Sequence, residues 1–224
     1  MPTYDEERIE YKNKMGEELG TAYHLLWNLC VQLHDRWHYY RELYCNSQAD
    51  IDVMNGTARR FFQNIHDVLW ESVLLDLAKF CDPIRVSYRR TLSLASLESL
   101  VPNGHIGPLK SCLSDVAVKT AFARDWRNRH IAHWDYENSL DGNVKPLQTA
   151  SPFAVEEALG AIVRVLEAIE SHFTGSTLSF DGDYAEPRHL LHELKFVQQI
   201  REERFQRFLD NVPTEDDMNW SKWS

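Results

Sequence analysis

A 224-residue chain with 43% hydrophobic and 26% charged residues has the make-up of a folded globular protein, which excludes disordered and collagen-like classes. Its formal net charge of −10 gives no general attraction to polyphosphate, so any nucleic-acid binding has to depend on a local field. The cysteines Cys30, Cys45, Cys81 and Cys112 form no CxxC pair, which argues against a zinc knuckle or a disulfide framework and for a reduced, cytoplasmic compartment.

Apolar residues recur at three and four positions rather than two, predicting an all-α antiparallel bundle of about five to six helices. The opening MPTYDEERIEYKNK is too acidic and polar for a signal peptide, and no apolar run approaches the ~18 residues that a membrane span requires. Thr3 and Glu6 have capping-box spacing. Leu19, Tyr23, Leu26, Cys30, Leu33, Trp37, Tyr40 and Tyr44 then form the buried stripe of a long first helix, with Gly16 and Gly20 as points of bending or interruption. Residues 56–81 predict a second helix, antiparallel to the first, with Phe61, Ile65, Val68, Leu69, Ser72, Val73, Leu75 and Phe80 facing inward. Asp82-Pro83 ends it. A linker, IRVSYRRTLSL, leads to a short helix near 93–101, and Pro108 opens a helix through 108–133. Ser151-Pro152 starts another, with Leu159, Ile162, Val163, Leu166, Ile169 and Phe173 as its stripe and Gly175 as its stop. Pro187 opens a last helix to about residue 210. Residues 137–150 and 175–186 predict loops, and 211–224 a polar tail. The resulting division is a bundle over 1–175, a loop and C-terminal helix over 176–210 packed on or beside it, and the tail.

The stretch WRNRHIAHWD, residues 126–135, concentrates Arg127, Asn128, Arg129, His130 and His133 between two tryptophans. Arginine is a permanent cation whose planar fork matches two phosphate oxygens, and histidine exchanges a proton near neutral pH. Together they suit phosphodiester cleavage without a metal: a base deprotonates a ribose 2′-hydroxyl while a guanidinium stabilises charge on phosphorus, which selects RNA over DNA. Residues 119–136 hold Lys119, Arg124, Arg127 and Arg129 against Asp125 and Asp135, and 84–97 hold Arg85, Arg89 and Arg90 against no acid. These two segments predict one basic cleft for RNA, with Tyr88 and Trp134 available for stacking on bases.

Arg127-Asn128-x4-His133 resembles the Arg-x4-6-His motif of the HEPN superfamily, in which a polar residue commonly follows the arginine. LAKFCDPIRVSYRRTLSLASLESL, residues 77–100, resembles the segment joining the second long helix to a short one in the abortive-infection U-type (AbiU-like) branch. RNRHIAHWD resembles that branch's basic-then-Ile-Ala-His-x-Asp signature. The resemblance covers residues 15–175. It implies a helical bundle, commonly a homodimer, whose active members cut RNA without a metal cofactor in phage defence or toxin–antitoxin systems. Arg127 and His133 match the catalytic pair and Asn128 the polar accessory position, while Arg124, Arg129, His130, Trp134, Arg85, Arg89 and Arg90 are the candidate RNA contacts. The branch regulated by tyrosine adenylylation carries His-x-Tyr, whereas here Trp134 and Asp135 separate His133 from Tyr136.

In an ideal helix Arg127 and His133 lie roughly 120° apart around the axis and ~9 Å along it. A working site therefore needs a helix break near residues 126–130, a reaching arginine, or a second copy of the motif across a two-fold axis. Such clustering of cations calls for an offsetting carboxylate, and Asp125 and Asp135 are the candidates. Two other readings stand beside the ribonuclease: a silent bundle for dimerisation and binding a partner such as an antitoxin, and a helical metalloprotein using His34 and His38 of HDRWH, spaced as in HExxH. His189 and His192 are a further helical pair, read as ordinary surface residues.

Overall fold

The computed structural model describes residues 3–102, 107–131, 146–177 and 185–218. It is all-α among them, apart from one two-stranded hairpin. The predicted capping box closes on α1 (Tyr4–Met15): the Thr3 amide donates to the Glu6 carboxylate at 2.7 Å and the Glu6 amide to the Thr3 hydroxyl at 3.4 Å. Gly16, with φ of 88°, lets the chain reverse into α2 (Glu17–Tyr44). The reversal brings α1 against Gly20, where an added Cβ would lie 2.4 Å from the Tyr11 carbonyl oxygen. The α2 stripe is as predicted, with Leu19 through Tyr40 buried and Tyr44 half-buried.

The second long helix, α3 (Gln48–Phe80), starts earlier than its apolar pattern indicates, because the Ser47 hydroxyl accepts the Asp50 amide at 3.2 Å and caps it. Within it Ala58 departs from helical geometry (φ −155°, ψ 67°), producing a kink. Phe61 and Val68, expected inside, are 59% and 63% exposed. Val73 and Phe80 are buried as expected, and Val53, Met54, Phe62, Leu74, Leu77 and Ala78 join them. Adjacent apolar pairs such as Phe61-Phe62 leave two helical phases open, and tertiary packing selects one.

Contacts divide the chain into two units, Met1–His38 with Val68–Gly182 and Tyr39–Asp67 with Asp183–Ser224. In the first, Arg36 pairs with Asp76 and Trp37 lies 6.5 Å from Trp70. In the second, Tyr40 meets His66 at 3.0 Å and the Tyr44 hydroxyl donates to the Phe62 carbonyl at 2.8 Å. Within each unit partners descend along α3 as they ascend along α2, so the segments of the two helices in each unit are antiparallel.

The expected linker after α3 is a small antiparallel hairpin, β1 (Arg85–Val86) with β2 (Arg89–Arg90), turned through Ser87 at φ 56°. Next comes α4 (Leu94–Leu100), burying Leu94 and Leu97. The single helix expected over 108–133 is broken. It divides into α5 (Leu109–Lys119), α6 (Ala121–Trp126) and a π-helical turn, Arg127–Ile131. The break falls at the buried Thr120, whose hydroxyl bonds the Val116 carbonyl at 2.8 Å and contacts the Cys81 thiol at 2.9 Å. Helix α7 (Pro152–Thr174) is capped by Ser151, which accepts the Ala154 amide at 3.2 Å, and stops at Gly175 with φ 72°. Its inner face, Val155, Ala158, Leu159, Ile162, Val165, Leu166 and Ile169, is at most 4% exposed; each large aliphatic side chain there stabilises by roughly 1.5–3 kcal/mol. Val163 and Phe173, placed in that stripe by periodicity, are half-buried at its edge. Lys119 to Glu157 and Arg164 to Asp115 tie α5 to α7 at its outer rim.

In the second unit α8 (Ala185–Leu209) carries Pro187 in its first turn, where the missing N–H leaves no bond unmade. Arg188 pairs with Glu42 at 2.8 Å and Lys195 with Asp50 at 2.6 Å. The expected polar tail contains a short helix, α9 (Glu215–Met218), held by Asp217, which accepts from Arg207 at 2.7 Å and from the Thr214 amide at 2.9 Å. Among the described residues no helix is long and apolar enough to cross a membrane.

Candidate functional site

The π turn falls on the residues that the sequence singles out. Just before it, Trp126 and Asp125 are fastened to the segment after residue 145: the Trp126 indole donates to the Gln148 carbonyl and the Asp125 carboxylate accepts the Gln148 amide, both at 2.8 Å. With that end pinned, the backbone widens into i→i+5 pairing over Arg127–Ile131. The angular spacing of a straight α-helix therefore does not hold there. A break at this place is one of the three arrangements that the Arg-x5-His spacing allows, and His133 itself lies outside the described residues.

Arg127 projects from the turn to Asp82, which follows the C-terminus of α3, and its Nη1 pairs with Oδ1 of that carboxylate at 2.5 Å. Its Nε donates to the Asn128 side-chain carbonyl at 3.0 Å. The guanidinium is thus held from two sides, with 22% of the side chain and 21% of Asp82 exposed. A half-exposed ion pair of this kind contributes about 0–1 kcal/mol, so its main effect is to fix direction. Burial pushes the neighbouring Cys81 thiol up, partly countered by its Thr120 hydrogen bond and by the Arg124 and Arg127 cations. The carboxylate that balances Arg127 is therefore Asp82. Asp125 serves Arg129 instead, at 3.3 Å. No spacing rule links positions 82 and 127; only the Asp82-Pro83 stop at the end of a helix marked the residue.

The other candidates divide into three groups. Arg124 donates to the Ala117 carbonyl at 2.6 Å. His130 stands edge-on to Trp126, with ring centroids 5.5 Å apart, and its Nε2 is 3.8 Å from the Glu71 carboxylate. Arg129 is half-buried on Asp125, whereas Asn128 and His130 are exposed. On the hairpin, Arg90 pairs with Glu18 at 2.8 Å, while Arg89 lies over the Tyr88 ring at 5.8 Å and Arg85 is exposed. The hairpin stem is closed by the Thr91 amide on the Ile84 carbonyl at 3.0 Å and by the Thr91 hydroxyl on the Pro83 carbonyl. It rises directly after the Asp82 that holds Arg127. His133, Trp134 and Asp135 lie outside the described residues.

Among the described residues the histidines of HDRWH join no set of three metal-capable side chains. His34 Nδ1 engages the Cys30 carbonyl at 2.9 Å, and no group of three His, Cys, Asp or Glu side chains with metal-holding geometry occurs among the described residues. His189 and His192 are exposed on α8.

The HEPN_AbiU2 family model, described as AbiU2, matches residues 16–194. That span takes in the antiparallel pair α2 and α3, the hairpin, the π turn, α7 and the start of α8. No curated protein and no solved structure matches the chain.

Proposed function

This chain belongs to the AbiU2 family of HEPN proteins, and from that membership we propose that it is a metal-independent endoribonuclease acting in phage defence or a toxin–antitoxin system. The observation that supports this reading most is the break in the helix at Arg127, which aims a guanidinium held by Asp82 and Asn128 beside a basic hairpin. In the proposed reaction His133 removes the proton from a ribose 2′-hydroxyl, whose oxygen attacks the adjacent phosphorus. Arg127 binds the non-bridging oxygens as charge builds there. The P–O5′ bond breaks, and the departing oxygen takes a proton from the second copy of the motif across the two-fold axis of a homodimer. Arg124, Arg129, His130, Trp134, Arg85, Arg89 and Arg90 supply contacts to the rest of the RNA.

A silent bundle for dimerisation and partner binding is the second reading, favoured by the occupation of Arg127 by Asp82. The two readings part on product chemistry. The ribonuclease is expected to leave 2′,3′-cyclic phosphate and 5′-hydroxyl ends and to keep its rate in excess EDTA, as mass spectrometry of a cut oligoribonucleotide would register. RNA left intact by protein that also expresses without toxicity favours the silent bundle, and a rate abolished by EDTA removes the metal-free scheme.

A further inference from the structure

The hairpin beside the motif ends in an aromatic side chain that the core does not use. Tyr88 occupies the turn between β1 and β2 and is 83% exposed. Exposing so much aromatic surface forgoes burial free energy, and the surroundings are cationic: residues 83–97 contain Arg85, Arg89 and Arg90 and no acid. Arg90 turns away to Glu18, but the Arg89 guanidinium lies over the Tyr88 ring, 5.8 Å from its centroid, so positive charge stands beside the ring. The Thr91 bonds to Ile84 and Pro83 close the base of the hairpin next to Asp82. Tyr88 follows Asp82 by six residues (88 − 82), a span of at most ~20 Å in extended chain, which puts the ring within reach of the nucleotides flanking a phosphate held at Arg127.

We propose that Tyr88 is a base-stacking contact by which this chain selects single-stranded RNA. The inference rests on the ribonuclease reading and adds a base-recognition residue to it. A flat aromatic beside guanidinium groups is complementary to a nucleobase attached to phosphate: the ring takes the base face and Arg85 and Arg89 take the charge. Bases inside a duplex already stack on one another and offer no free face, whereas unpaired bases do. An acidic protein surface would satisfy the arginines but would not call for an exposed ring between them.

The test uses the full chain carrying His133→Ala, so that RNA is bound without being cut, and measures fluorescence anisotropy with a labelled single-stranded oligoribonucleotide and with the same strand in a duplex. Adding Tyr88→Ala is expected to weaken single-strand binding about tenfold and to leave duplex binding unchanged, and Tyr88→Trp to restore the single-strand affinity. Single-strand binding that is absent, or indifferent to Tyr88, overturns the proposal, as does a Tyr88→Ala protein that sediments as a smaller assembly, since the ring would then be a contact between copies. Cleavage of the same strand by protein with His133 intact is scored separately. Tyr88-dependent binding without cleavage leaves this inference standing and sinks the ribonuclease, and cleavage with Tyr88-independent binding does the reverse.

Discussion

Arg127→Ala and His133→Ala are each expected to lower RNA cleavage by about 100-fold or more, the scale on which single electrostatic and acid–base groups act. Both proteins should remain folded, because the Arg127 side chain makes one half-exposed ion pair and one hydrogen bond and supports no part of the apolar core. Arg127→Lys should be nearly as poor. An ammonium carries the charge but cannot reach Asp82, Asn128 and two phosphate oxygens from one planar group. Arg59→Ala, on the exposed side of α3, provides the comparison and should cut like the unaltered protein. The assay is the initial rate on a labelled oligoribonucleotide, with circular dichroism confirming the fold of each variant. An Arg127→Ala protein that keeps its rate would remove this residue from the chemistry.

The largest stability change is expected at the centre of the inner face of α7. Ile162 is fully buried, and Ile162→Ala should cost about 2–5 kcal/mol, the sum of lost transfer free energy and the cavity left behind. Val68→Ala should shift stability by no more than about 0.5 kcal/mol, although an apolar stripe read from the sequence includes it, because the side chain is 63% exposed. Urea unfolding of the two variants measures both effects. Equal losses at the two positions would contradict the phase assigned to α3.

That contrast shows where the sequence is sufficient and where it is not. The Thr3–Glu6 box, the Ser151 cap and the Gly175 stop are local, since each joins residues a few positions apart and depends on backbone groups that every helix leaves unpaired. The α2 stripe was legible as well: Leu19, Tyr23, Leu26, Cys30, Leu33, Trp37 and Tyr40 recur alternately at four and three, and packing buries that phase while leaving Leu25 and Leu29 exposed. Along α3 two phases compete, and the choice between Phe61 and Phe62 is made by what packs against the helix. At the site, the types and spacing of Arg127, Asn128 and His133 are what suggest the proposed chemistry. The helix breaks next to Asp125 and Trp126, which bond to Gln148, and the counter-charge of Arg127 comes from Asp82, 45 residues away. Long-range contacts of that kind have no period and no motif: of the two carboxylates the sequence offered, Asp125 offsets Arg129 and Asp135 lies outside the described residues, while the partner of Arg127, Asp82, was not among them.

The most direct measurement compares two oligoribonucleotides, identical except for one 2′-deoxyribose at the scissile position, cut in EDTA by unaltered protein and by His133→Ala protein purified alongside it. Attack by the internal 2′-hydroxyl under control of Arg127 and His133 predicts that only the unaltered protein cuts, that only the all-ribose strand is cut at that position, and that the 2′,3′-cyclic phosphate appears there. Cleavage of the deoxy-substituted position, or equal cleavage by the His133→Ala protein, would contradict it.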